Sequence, residues 1–329
     1  MSIQNLSSAA RSAGQQLVQL TGEDRAALLT DLAAALERPA SRKAVFEANA
    51  RDVARAQEAE QRGELASSLV KRLVLDDAKV ASLCDGLRQL AAQEDGVGRV
   101  QVHRELDSGL VLQRVSCPLG VLGVVFESRP DALIQIVSLA LRSANAVLLK
   151  GGREALETNR ALTALVHGVL QARGLPTAAV TLLEDRAAVD ELLALERGVD
   201  LVIARGGSDF VRHVRARARM PVLAHADGIC HLYLHAAAEP QMAARIAQDA
   251  KCSYPAACNS IETLLWEPDA APALDAAIAT LGAAGVELRG DAATRARHPG
   301  LREATEADWE TEYGARAWRH PSSAPPPPR

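Results

Sequence analysis

Apolar and polar positions divide this chain into three regimes. From residue 1 to about 95 the apolar residues recur at helical spacing. Ala27, Leu28, Leu32, Ala35 and Leu36 fall on one face of a helix. Thr21 opens it as a capping-type residue, Glu23 and Asp24 follow early, and Pro39 ends it. Ser41 is placed to cap the next helix, which runs to Gly63. The period then changes. Residues 100–106 and 110–115, joined by the turn residues Asp107, Ser108 and Gly109, predict a β-hairpin.

From Pro118 onward, strands and helices alternate. Residues 121–126 form a continuous apolar run, as expected of a strand buried on both faces. A helix over 131–143, a strand over 146–149, a helix over 154–172 and strands over 180–183 and 200–204 follow. This alternation predicts a parallel sheet with helices on both faces. Ligands of such sheets bind beyond the carboxyl ends of the strands. Three polar or glycine-rich loops occupy such ends: 127–130, 150–153 and 205–208. Each alone also reads as a tight turn, but three at one edge point to a binding site. Lys150 supplies a positive point charge, and Gly151, Gly152, Gly206 and Gly207 let backbone N–H groups approach a phosphate. Neither G-x-G-x-x-G nor G-x-x-x-x-G-K-[ST] is present.

The chemistry centres on Cys258. It sits among small residues after Pro255 and before an apolar, strand-like segment, 261–266. A thiol held at a bend can be reached by a reactant while backbone N–H groups face a developing oxyanion. Read by itself, the same cysteine also fits a small buried thiol.

Composition narrows the partners. With 329 residues the chain has room for roughly two ordinary domains. The 37 Lys+Arg and 41 Asp+Glu leave a net charge of −4, so nucleic acid is not an expected partner. No apolar run reaches the ~18 residues of a membrane span, and residues 1–5 lack the layout of a secretory signal. Five cysteines, an odd number without framework spacing, suit a reducing cytoplasm. Cys230, His231, His235, Cys252 and Cys258 match no common zinc spacing, so no metal is expected.

Several motifs in series resemble the glutamate-5-semialdehyde dehydrogenase (γ-glutamyl phosphate reductase) family of the aldehyde dehydrogenase superfamily. They are PLGVLGVVFESRPD at 118–131, LKGG at 149–152, DLVI at 200–203 with RGG at 205–207, HADGICH at 225–231, and YPAACN at 254–259. Order and spacing match to about residue 313. The resemblance implies an aldehyde dehydrogenase-like α/β fold. Its expected parts are an N-terminal helical part of the cofactor domain (1–98), an oligomerisation β-hairpin (99–117), a Rossmann-type NADPH domain (118–226) and a partial catalytic domain (227–313).

The implied reaction is NADPH-dependent reduction of L-glutamyl 5-phosphate to L-glutamate 5-semialdehyde and phosphate, in proline biosynthesis. Cys258 is the implied nucleophile and thioester carrier. Its N–H, with a donor from the loop containing Ser128, is the implied oxyanion hole. Lys150, Gly206, Gly207 and Ser208 are assigned to the cofactor, and Glu312 to the nicotinamide ribose. Arg153 stands near the position where NAD-dependent relatives carry an acid, which favours a 2′-phosphate. His225 stands near the position of the glutamate that activates water in hydrolytic relatives. Loss of that base suits an enzyme that makes the aldehyde. The resemblance further implies a homo-oligomer and functional coupling to glutamate 5-kinase.

One departure stands out. After Tyr313 the chain turns Ala-, Arg- and Pro-rich and ends in four prolines and Arg329. Residues 314–329 are expected to be disordered, with the composition of a shifted reading frame, and the family's later catalytic segments and C-terminal strand are not matched. That strand pairs with the hairpin across subunits in the family, so assembly and activity of this chain are expected to be impaired. The alternative reading is therefore an inactive fragment or an NADPH-binding pseudoenzyme.

Overall fold

The computed structural model describes residues 2–65, 67–126, 129–185, 187–225, 228–255, 257–313 and 317–320. The chain divides into two compact units, Met1–His225 and Ala226–Arg329.

The first unit opens with five helices: α1 (Ile3–Gln19), α2 (Gly22–Glu37), α3 (Pro39–Gln61), α4 (Ser67–Leu73) and α5 (Asp77–Ala92). Thr21 does cap α2. Its hydroxyl accepts from the Asp24 N–H, and the Asp24 carboxylate accepts from the Thr21 N–H at 3.0 Å. Ser41 does not cap the next helix, because Pro39 already occupies its first turn and Arg38 is the residue before it. Proline tolerates that position because the first N–H groups of a helix lack intrahelical partners anyway.

A hairpin follows, β1 (Val100–Asp107) and β2 (Leu110–Val115), antiparallel and almost wholly exposed. Then come β3 (Val121–Val125), α6 (Pro130–Arg142), β4 (Ala146–Lys150), α7 (Leu156–Ala172), β5 (Val180–Leu182), α8 (Ala187–Leu193), β6 (Leu201–Arg205), α9 (Ser208–Arg217) and β7 (Val222–His225). These strands make a parallel sheet in the order β5-β4-β3-β6-β7. Alternate residues feed two cores. Leu122, Val124, Val147 and Leu149 join the core with α2, α5, α6 and α7. Val121, Val125, Ala146 and Leu148 join the one with α1, α8 and α9. The period of two along each strand thus meets an apolar layer on either side.

The second unit contains β8 (Cys230–Leu234), α10 (Pro240–Cys252), β9 (Ile261–Trp266), α11 (Ala271–Ala283), β10 (Glu287–Gly290), α12 (Ala292–Arg297), β11 (Arg302–Glu303) and β12 (Ala317–His320). Its sheet runs β11-β10-β12-β9-β8, all parallel. Here an expectation fails. Residues 317–320, read as part of a disordered tail, form β12. Their backbone pairs with β10 over four positions and meets β9 at Arg319 opposite Thr263. The reason is the sheet: β9 and β10 have facing edges, and a strand between them satisfies N–H and C=O groups that would otherwise lack partners. The rest of that expected tail, 314–316 and 321–329, lies outside the described residues.

Candidate active site

In the first unit, register brings the predicted loops together. Val125, the last residue of β3, pairs with Lys150 on one side and with Ala204 on the other. Arg205 pairs with His225 at the end of β7. The carboxyl ends of these four strands therefore lie side by side, with Lys150, Gly206 and Gly207 along one edge. The chain runs outward from β3 through β4 to β5, then returns to the other side of β3 as β6. That reversal marks the crevice where open α/β sheets bind ligands.

Lys150 is buried, and its Nζ donates to the Gly151 carbonyl at 2.5 Å. Gly151 has no room for a side chain: a β-carbon there would strike the Asn159 amide and crowd the Phe126 ring. Arg153 is exposed and opens a short 3-10 turn leading into α7. The start of α7 is held from a distance. The buried Asp52 carboxylate accepts the Thr158 N–H at 2.8 Å and its hydroxyl at 2.7 Å. Gly207 precedes α9, is exposed, and a β-carbon on it would meet nothing. Ten residues of helix thus begin at an open, glycine-lined end, a favourable place for negative charge. Ser208 is the first residue of α9. Its side chain, like that of His225, lies outside the described residues, as does the whole of Ser128.

In the second unit, Cys258 is exposed and occupies the second position of a turn that the Ser260 N–H closes onto the Ala257 carbonyl at 2.9 Å. A second bond, from the Ala257 N–H to the Tyr254 carbonyl at 3.0 Å, tightens the chain before it. Among the described residues, the Cys258 N–H has no hydrogen-bond partner. The other side of the turn rests on Gly228. A β-carbon on Gly228 would overlap the Cys258 carbonyl oxygen and come within 3.2 Å of its Cα. The same oxygen takes the Cys230 thiol at 3.6 Å.

Glu312 joins this group. Its Oε2 accepts the Gly228 N–H at 2.8 Å across 84 positions of sequence. The segment that presents it is anchored by Asp308, which accepts from Arg289 at 2.9 Å and from the Thr305 N–H and hydroxyl at 2.6 and 2.9 Å. The Tyr313 hydroxyl also donates to Asp308, and its ring lies under the Arg289 guanidinium, 5.5 Å from the centroid. Burial raises the Asp308 pKa, but the Tyr313 and Thr305 hydrogen bonds and the nearby Arg289 outweigh it and lower it to about 2.

The other cysteines differ. Cys84 is buried with its thiol 3.7 Å from the Ala33 carbonyl, and burial pushes its pKa up, as for an inert structural thiol. Cys252 is half-buried at the end of α10, and Cys117 is exposed between the hairpin and β3. Among the described residues, no group of three or more His, Cys, Asp or Glu could hold a metal ion, and no helix is long and apolar enough to cross a membrane.

Gamma-glutamyl phosphate reductase of Synechococcus elongatus is 48% identical to this chain over 306 residues, which cover 93% of the chain and 69% of that protein. The chain belongs to the gamma-glutamyl phosphate reductase family. The crystal structure of gamma-glutamyl phosphate reductase from Thermotoga maritima aligns with a TM-score of 0.91 at 32% identity, covering 98% of this chain and 77% of that one. A probable aldehyde dehydrogenase from Listeria monocytogenes aligns with a TM-score of 0.63 at 15% identity, covering 98% and 75%, a likeness of fold alone. The aldehyde dehydrogenase-like fold implied by the motifs is therefore borne out. No model of a known protein family matches the chain. Membership in the gamma-glutamyl phosphate reductase family makes the chain an oxidoreductase by descent and attaches it to proline biosynthesis.

Gly228, Asp52, Asp308 and Lys251, whose Nζ donates to the Glu262 Oε2 at 2.8 Å, had no role in the sequence reading. Gly228 lies within the quoted HADGICH run, yet nothing local marks its approach to Cys258. Lys251 looks like an ordinary lysine in the last turn of a helix. The available signal was Glu262, a carboxylate inside the apolar run 261–266, since a charge in a buried strand needs a partner.

Proposed function

We propose that this protein reduces L-glutamyl 5-phosphate to L-glutamate 5-semialdehyde and phosphate with NADPH, through a thioester on Cys258. The observation that carries the reading is the exposed Cys258 at a turn whose backbone is seated on Gly228, which in turn donates to Glu312. The thiolate attacks the acyl carbon of the acyl phosphate. A C–S bond forms, the C–O bond to phosphate breaks, and phosphate leaves with the electron pair. The Cys258 N–H, without a hydrogen-bond partner among the described residues, steadies the oxyanion as it develops, and Ser128 is assigned as a second donor. When bound, NADPH supplies the hydride that reduces the thioester carbon. Cys258 then departs as thiolate, and the aldehyde forms.

The buried Lys150 at the end of β4, the close approach at Gly151 and the open α9 terminus behind Gly206 and Gly207 suit a dinucleotide phosphate. Arg153, exposed beside them, is assigned to the 2′-phosphate. Glu312 has one oxygen on Gly228, and its carboxylate is assigned also to the nicotinamide ribose. The exposed apolar residues Val100, Leu106, Leu110, Val111, Leu112 and Val115 suit a hairpin through which subunits associate. Assembly as a homo-oligomer in the cytoplasm, supplied by glutamate 5-kinase, completes the proposal.

Phosphate-dependent NADP reduction with glutamate semialdehyde tests it in the reverse direction. The expected result is turnover that requires phosphate and disappears in Cys258→Ser. NADPH binding without turnover in either direction would instead leave a binding protein.

A further inference from the structure

Among the described residues, the largest fully buried side chain is a lysine. Lys251, at 0% exposure in the last turn of α10, donates to the Glu262 Oε2 at 2.8 Å, and the Glu262 side chain is 1% exposed in β9. Both charges are out of water, so each needs the other. Their positions along the chain are informative. Lys251 stands just before the segment 253–260 and Glu262 just after it, with Cys258 between. A second tie lies alongside: the Ser260 hydroxyl donates to the Ala250 carbonyl at 3.1 Å. Two cross-links therefore close the base of the Cys258 turn.

We infer that Lys251 and Glu262 form a positioning pair that fixes the two stems of the turn and thereby sets the place of the Cys258 thiol. An apolar pair of similar volume generally stabilises a core at least as well as a buried ion pair. What the ion pair adds is direction. Nζ must meet Oε2 along a hydrogen-bonding line, and that fixes the end of α10 against the start of β9 in a way that apolar contact does not. Gly228 then receives the Cys258 carbonyl in one place only, since a shift of the turn would either overlap it or leave it. The catalytic consequence rests on Cys258 being the nucleophile. The positioning does not.

Hydrogen exchange of the protein tests it, followed on peptides covering 253–260 with β10, which carries neither residue, as internal reference. The variants are Lys251→Met, Glu262→Gln and the double Lys251→Met/Glu262→Leu. In the double variant the buried space stays filled and no charge is left alone. Expected are a thermal midpoint close to the wild type, exchange in 253–260 faster by about tenfold, unchanged exchange in β10, and a kcat lower by about tenfold at unchanged cofactor affinity. Glu262→Gln keeps an oxygen acceptor for Nζ but removes the opposite charge, and is expected to exchange between wild type and the double variant. Lys251→Met should resemble the double variant in 253–260. If the double variant does not fold, the two single variants decide by the same comparison. Wild-type exchange in 253–260 in every variant that folds, or exchange that rises equally in β10, overturns the inference. Were Cys258→Ser to retain turnover, the proposed function would fall while the exchange result still judged the pair.

Discussion

The Cys258 carbonyl oxygen lies where a β-carbon on Gly228 would have to stand. The Cys258 backbone and the glycine are therefore in direct contact, and the Glu312 carboxylate holds that glycine from the other side through its N–H at 2.8 Å. The position of one thiol thus depends on a backbone without a side chain and on an acid 84 positions beyond that glycine.

Gly228→Ala is the sharpest probe of that contact. The added methyl group must push the Cys258 turn outward, an overpacking that costs about 1–3 kcal/mol. A displaced nucleophile is expected to lower turnover on the order of 100-fold, with cofactor affinity nearly unchanged. Steady-state kinetics beside a cofactor titration reads both. Full turnover in the alanine variant would show that the turn relaxes freely.

Cys258→Ser is expected to abolish reduction and the reverse reaction while keeping NADPH affinity. A hydroxyl is a far weaker nucleophile, and the proposed chemistry includes no base to activate it. Cys252→Ser, six positions earlier, should keep its turnover. Rapid-quench detection of an acyl-enzyme in the wild type, and its absence in Cys258→Ser, checks the assignment.

Lys150→Ala and Arg153→Glu separate the two halves of cofactor recognition. The first removes a buried positive charge at the strand edge and should weaken NADPH and NADH alike. The second places a carboxylate beside the proposed 2′-phosphate and should weaken NADPH by several-fold or more while sparing NADH. Fluorescence titration of both dinucleotides measures this. Equal losses in the Arg153 variant would move phosphate recognition to another loop.

Acid should loosen the segment that presents Glu312. The folded pKa of Asp308, about 2, lies below its ordinary value of 3.8. A depressed carboxylate contributes stability that is fully present above the unfolded value and is lost as pH falls through the folded one. The contribution, roughly 2 kcal/mol for a shift of this size, should fade between about pH 4 and pH 2. Asp308→Asn should flatten that part of the stability profile. Urea unfolding at a series of pH values, wild type against variant, gives the comparison, and parallel curves would assign the stabilisation elsewhere.

Local backbone and the faces it buries could be read from residue order alone. The continuous run at 121–126 is a strand buried on both faces, and the hairpin closes at Ser108 and Gly109, with Gly109 at φ +76°. The three loops that mark the sheet edge were legible because loop chemistry and strand ends are local properties. The bend that carries Cys258 before β9 was legible too, through the small residues and the proline around it.

Which distant groups meet follows from the folded chain and from no local pattern. Periodicity reports which face of an element is apolar, and says nothing of what lies against it. Gly228 against Cys258, Glu312 on Gly228 and Asp52 at the start of α7 are contacts between segments that no local pattern links. Lys251 reads as a solvated helix end until Glu262 is seen beside it. Residues 317–320 show the same limit most plainly. Their composition argues against order, yet the facing edges of β9 and β10 leave hydrogen-bonding groups that a strand of almost any side chains satisfies. Backbone pairing is decided by the neighbours a segment finds, and those are set by the fold.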